Sequence, residues 1–121
     1  LWRRWALQHT ECVVLDMPNF VLRLPVNSIL YVEVIGHYCV IKTIENEQGY
    51  RLRQPLETIR KKLPSHLFVQ CHRSYIVNLI YIRHITNDGI TMADHSILPI
   101  GKMFQHGLMK EFRAYYMEGG M

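Results

Sequence analysis

Apolar residues in this chain come mostly in short runs divided by polar, proline or glycine breaks, which is the spacing of strands and tight turns. Cys12-Val13-Val14-Leu15 stops at Asp16-Met17-Pro18-Asn19, and Phe20-Val21-Leu22-Arg23-Leu24 resumes before Pro25, predicting a hairpin. The run from Ser28 to Ile35 reaches Gly36-His37, and Tyr38 to Ile44 runs back, predicting a second hairpin whose tip carries His37 and Tyr38. Glu45-Asn46-Glu47-Gln48-Gly49 reads as a solvated loop whose two Glu do not suit a phosphate-facing surface. Tyr50-Arg51-Leu52-Arg53 reads as a short strand with both arginines on one face.

Residues 66–82 are the stretch around which the rest is organised. Leu67 to Val69 and Tyr75 to Ile82 are rich in aromatic and β-branched residues and are expected as strands, with the polar run Gln70-Cys71-His72-Arg73-Ser74 held between them. Arg83 to Thr86, the turn signal Asn87-Asp88-Gly89, and Ile90 to Met92 predict another hairpin, followed by a turn over Ala93-Asp94-His95-Ser96. Two segments have helical spacing. Pro55 at a first helical position precedes Leu56, Ile59 and Leu63 on one face, with Pro64 as the stop and Arg60, Lys61 and Lys62 in the last turn. Ile100, Phe104, Leu108, Phe112 and Tyr116 recur every fourth residue, predicting a C-terminal amphipathic helix that Gly107 weakens. The fold class is therefore mainly β: an elongated multi-stranded sheet or sandwich with one short internal helix and a C-terminal helix.

Composition narrows the function classes. A chain of 121 residues, 49% of them hydrophobic, suits one domain with its own core and excludes a disordered tail. The net charge of +4 is modest, but nine of the fourteen cations are Arg, the side chain suited to bidentate contact with phosphate and guanine. Cys12, Cys39 and Cys71 are widely spaced and odd in number, which argues against a disulfide framework and a zinc site and for a reducing, cytoplasmic home; no cofactor or metal is expected. No apolar run approaches a membrane span, so no membrane partner is expected. The first residue is Leu, and residues 1–11 read as a linker or N-terminal extension of a longer protein, with residues 118–121 as a tail.

Cys71-His72-Arg73-Ser74-Tyr75-Ile76-Val77-Asn78 resembles the central motif of the LytTR-type DNA-binding domains, the output modules of many bacterial response regulators. Ile29-Leu30-Tyr31-Val32-Glu33 with the turn at Gly36-His37-Tyr38 is similar to that family's first signature, Pro55 to Pro64 to its helix, and Ile97-Leu98-Pro99-Ile100-Gly101-Lys102 to its third signature. The resemblance covers roughly residues 20 to 115 in the right order, and makes residues 12–117 the domain. It implies a domain that reads double-stranded DNA with loops in place of a recognition helix. It further implies transcriptional regulation within a two-component system, a homodimer on paired sites, and a receiver or sensory domain outside this chain.

By that resemblance His37, Arg73 and Lys102 lie at or beside base-reading positions, His37 within a residue or two because loop length varies there. Arg73 offers a fork for guanine O6 and N7, His37 two ring nitrogens, and Lys102 a mobile ammonium. Tyr38, Gln70, Ser74 and Gln105 are their neighbours and the candidates for phosphate contact. The chain departs from the family where Gln70 and Lys102 stand at positions that are commonly Arg, where Val34 and Ile35 approach the first loop, and in the bulk of Ile80-Tyr81.

Each residue also has a structural reading. His72 would be a hydrogen-bonded framework residue, Asn78 would bond backbone at a strand end, and Glu33 would neutralise a neighbouring cation. Arg73 would sit in an ion pair, and the Arg60 to Lys62 trio would serve helix-end charge and solubility. A thiol enzyme built on Cys71 and His72 is disfavoured, since adjacent residues on a strand point to opposite faces. The stronger rival is a β-rich protein-interaction or sensory module whose hairpin tips hold another protein. Single-strand or RNA binding is third, because most aromatics sit at core positions.

Overall fold

A computed structural model describes residues 11–119. The hairpin expected first is present, with β1 (Cys12–Asp16) paired antiparallel to β2 (Val21–Pro25). Next come β3 (Ile29–Ile35), β4 (Tyr38–Thr43), β5 (Tyr50–Leu52), the helix α1 (Leu56–Lys62), β6 (Phe68–His72) and β7 (Tyr75–Asn78). The chain then forms β8 (Ile82–Thr86), β9 (Gly89–Met92), β10 (Ile97–Leu98) and the helix α2 (Lys102–Arg113), which continues as a π-helical turn over Ala114–Gly119. The linker expected over residues 1–11 lies outside the described residues except at Glu11, as do residues 120–121 of the expected tail.

At the centre is a five-stranded antiparallel sheet in the order β5-β4-β3-β7-β6. Both of its faces are covered, so its inner strands read as unbroken apolar runs: Ile29, Leu30, Tyr31 and Val32 are all buried. On one face Leu15 and Leu24 of the β1–β2 hairpin and Ile59 of α1 pack with Val32, Ile41 and Ile76. On the other, the sheet β10-β9-β8 supplies Ile90, Met92 and Leu98, and α2 supplies Leu108, against Tyr31, Cys71 and Val77. Fully burying each such aliphatic side chain stabilises the fold by about 1.5–3 kcal/mol.

Three expectations are corrected. Tyr75 to Ile82 is not one strand: β7 ends at Asn78, and Leu79–Tyr81 is a 3₁₀ turn. The cause is Asn78 itself, fully buried, whose Oδ1 accepts from the Ile80 amide at 3.1 Å and turns the chain away from the sheet. Its Nδ2 donates to the Ile29 carbonyl at 2.8 Å and the Val26 carbonyl at 3.3 Å, tying the end of β7 to the entry of β3. Second, β6 takes in Gln70, Cys71 and His72, pairing Gln70 with Ile76 and His72 with Tyr75 across a bulge, so the tip shrinks to Arg73 and Ser74. Third, Pro55 is the extended residue capping α1 and not its first helical residue.

The C-terminal helix forms despite Gly107, which lies on the exposed side, where an added Cβ would meet nothing within 4 Å. Tyr116 beyond it donates its hydroxyl to the Leu79 carbonyl at 2.8 Å, fastening the end of the chain to the turn after β7.

Two stability predictions follow from this packing. Asn78→Ala strands the Val26, Ile29 and Ile80 backbone groups and is expected to cost roughly 2–4 kcal/mol, read as a lower urea midpoint at unchanged slope. Gly107→Ala removes a glycine from an open helical position and is expected to raise stability by up to about 1 kcal/mol in the same titration.

Candidate nucleic-acid interface

The register of the central sheet decides which loops share an end. β3 pairs with β7 so that Glu33 faces Tyr75, and the Val34 amide donates to the Ser74 carbonyl at 2.9 Å. The β3–β4 turn at Gly36-His37 and the β6–β7 turn at Arg73-Ser74 therefore leave the sheet together. Beside them, the Gly101 amide donates to the Cys71 carbonyl at 2.9 Å, so α2 begins against β6 and Lys102 stands next to the Arg73 turn. A Cβ on Gly101 would lie 3.7 Å from the His72 Cα and 3.0 Å from the Phe104 ring, a spacing that a larger residue would crowd. His37, Arg73 and Lys102 are thus brought to one end of the sheet, in that order across it, and all three are exposed.

Each tip has its local cause. Gly36 takes a φ of +61° while His37 stays at negative φ, the pattern of a two-residue type II′ hairpin turn. Arg73 has no ion pair: among the described residues the one salt bridge joins Arg60 to Glu57 on α1, so the structural reading of Arg73 finds no carboxylate. The same bridge lowers the Glu57 pKa through its hydrogen bond to Arg60, which makes Arg60 part of a solvated helix surface.

The four neighbours differ in how available they are. Tyr38 is 39% exposed, with the Arg51 guanidinium 5.3 Å from its ring centroid. Gln105 lies one turn into α2, exposed, on a shallow groove shared with Lys102 and His106. Gln70 is half-buried and donates to the His72 carbonyl at 3.2 Å, holding the β6 bulge. Ser74 is half-buried; its amide donates to His72 Nδ1 at 3.1 Å and its carbonyl serves Val34. His72 is in this way a framework residue that shapes the turn carrying Arg73.

Glu33 corrects an expectation. It pairs with no cation among the described residues; the Tyr75 hydroxyl hydrogen-bonds it, and burial first, with this bond and the Glu33 charge, pushes Tyr75 up to about 12. Burial likewise pushes the Cys71 thiol up to about 12, leaving it protonated at neutral pH, 3.9 Å from the Tyr75 carbonyl. Among the described residues no cluster of three or more His, Cys, Asp or Glu could hold a metal ion, and no helix is long and apolar enough to cross a membrane.

Two carboxylates lie on a connection away from the tips. β4 ends at Thr43 and β5 begins at Tyr50, so the connection carrying Glu45 and Glu47 leaves the sheet at the end opposite the tips. A cavity of about 430 Å³ lined by Lys42, Glu47, Tyr81 and Asp94 is at that end also. Two cations near the tips, Arg51 over the Tyr38 ring and Arg53, were not among the site residues expected from the sequence. β5 returns toward the tip end with Leu52 paired to Cys39, which brings Arg53 beside His37 and Tyr38 around a groove of about 310 Å³. The alternation in Tyr50-Arg51-Leu52-Arg53 carried this signal, but the partner strand that aims it is set only by the sheet.

A family model described as LytTr DNA-binding domain matches residues 20–113. The sensory transduction protein LytT of Bacillus subtilis (strain 168) is 26% identical over 103 residues, covering 81% of this chain and 42% of that protein. LytT of Bacillus anthracis is 24% identical over 106 residues, covering 84% of this chain and 42% of its own length. The chain therefore spans less than half the length of these relatives. A solved LytTr DNA-binding domain from Bacillus cereus superposes with a TM-score of 0.70 at 23% identity, covering 83% of this chain and 94% of that one, and shares the fold. From the mostly β architecture with its C-terminal helix, and from a family match running through both hairpin tips and into α2, it follows that this chain belongs to the LytTR DNA-binding domain family.

Proposed function

We propose that this chain binds double-stranded DNA in a sequence-specific manner and regulates transcription, as the output domain of a two-component response regulator. The observation that carries the reading is the shared end of the sheet, where His37, Arg73 and Lys102 stand exposed on three separate connections. Protruding tips of this kind enter grooves; a concave pocket does not. The connection carrying Glu45 and Glu47 lies at the far end, and the exposed cations at the tips favour a polyanion.

In this reading Arg73 grips guanine O6 and N7 in the major groove, or enters a narrow minor groove. His37 and Lys102 read acceptor edges on either side of it. Tyr38, Ser74, Gln70 and Gln105 meet phosphates and set the register without reading sequence. Two copies bind paired sites, and a receiver or sensory region outside this chain brings the two reading heads together, raising their effective concentration. The functional unit is residues 12–117, with the β1–β2 hairpin included because Leu15 and Leu24 complete one half of the core. A bacterial cytoplasm is the compartment this function requires.

Arg73→Ala is expected to cost about 1–3 kcal/mol on a selected site and to flatten preference at the base pair it reads, measured by competition with single-base variants. Unchanged preference would remove Arg73 from the readout. Gln70→Arg is expected to tighten binding to every duplex and steepen the salt slope by roughly one unit, measured by titrations from 50 to 200 mM salt. Affinity for random duplex that fails to rise would withdraw Gln70 from the phosphate set. The reading as a whole is tested by selection from a random duplex library, and a protein-interaction module would enrich nothing and show no salt slope.

A further inference from the structure

We infer that the edge strand β5 gives this end a fourth arm, with Arg53 gripping a DNA phosphate beside the His37 turn. The inference rests on the DNA-binding reading above and adds to it the residue that follows β5.

The register sets the position. Cys39 pairs with Leu52, so the next residue, Arg53, draws level with Tyr38 at the start of β4. Leu52 points into the core, 3% exposed, and the flanking Arg51 and Arg53 are turned out. The two arginines then diverge. Arg51, opposite Val40, leans diagonally onto the Tyr38 ring and is engaged there. Arg53 faces the groove it shares with Gly36, His37 and Tyr38, closed behind by Pro55 and Leu56, and no carboxylate lines that groove. Among the described residues Arg53 has no ion pair either.

Its backbone is held on both sides. Leu52 is in the sheet, and the carbonyl of Gln54 accepts from the Cys39 thiol at 3.1 Å. An exposed guanidinium on a pinned strand end, without a carboxylate, is a preorganised fork for an anion that arrives from outside, and a phosphodiester fits it bidentately. Four inter-strand steps of ~4.8 Å separate β5 from β6, so Arg53 and the Arg73 turn stand toward opposite edges of the same end of the sheet.

The test uses the whole chain and a duplex selected by the wild-type protein, with salt titrations of affinity for Arg53→Gln, Arg53→Lys and Arg60→Ala. Arg53→Gln should reduce the magnitude of the log–log salt slope by about one and weaken binding similarly on the selected and a scrambled duplex. Arg53→Lys should keep the slope. Arg60→Ala removes an equal charge from α1, and should leave the slope unchanged. An Arg53→Gln slope no different from that of Arg60→Ala would overturn the inference while salt-sensitive wild-type binding kept the DNA reading in place. Wild-type protein that binds no duplex at any salt would overturn both.

Discussion

The pairing of β3 with β7 is the constraint on which the rest depends. It holds the central sheet together, and Asn78 locks it at one end by donating to the backbone on either side of the β3 entry. At the other end the Val34–Ser74 backbone bond brings the two tips side by side. Because side chains alternate across a sheet, a slip of one residue would send Val32 and Ile76 to the face now filled by Tyr31 and Val77. The two cores differ in shape, one closed by a hairpin and a short helix, the other by a small sheet and a long helix, so the slipped register has nowhere to pack. Position of the tips and integrity of the core are thus one property.

A sheet covered on both faces has only its ends and edges left for polar work. That is why exposed cations at the tip end sit on turns and strand termini: His37 between β3 and β4, Arg73 between β6 and β7, Lys102 at the first residue of α2. It is also why neighbouring polar groups are absorbed. Gln70, His72 and Ser74 spend hydrogen bonds on the bulge and turn that present Arg73, and Glu33 is satisfied by Tyr75. A turn held by so many local bonds has little backbone freedom left to lose on contact with a partner.

Much of this was legible residue by residue. The hairpins announce themselves through Asp16-Met17-Pro18-Asn19, Gly36-His37 and Asn87-Asp88-Gly89, and the C-terminal helix through its four-residue repeat, since turn chemistry and periodicity are local. The end of β7 was legible only in part: Asn78 is expected to bond backbone at a strand end, but the carbonyls that receive its amide lie 49 and 52 residues away in the chain. The fate of Glu33, whose partner is chosen by cross-strand register, was not legible, nor was the position of Arg53, which needs β5 to be placed against β4.

The sequence alone determined the element types, the mostly apolar inner strands, the surplus of arginine and the motifs that carry the family resemblance, all of which depend on neighbours within a few residues. Tertiary structure alone decided that connections far apart in the chain would emerge at one end of a single sheet, with the connection carrying Glu45 and Glu47 at the other. The reason is physical: strand order and register are settled by burying two different cores at once, and no local pattern encodes which strand lies beside which.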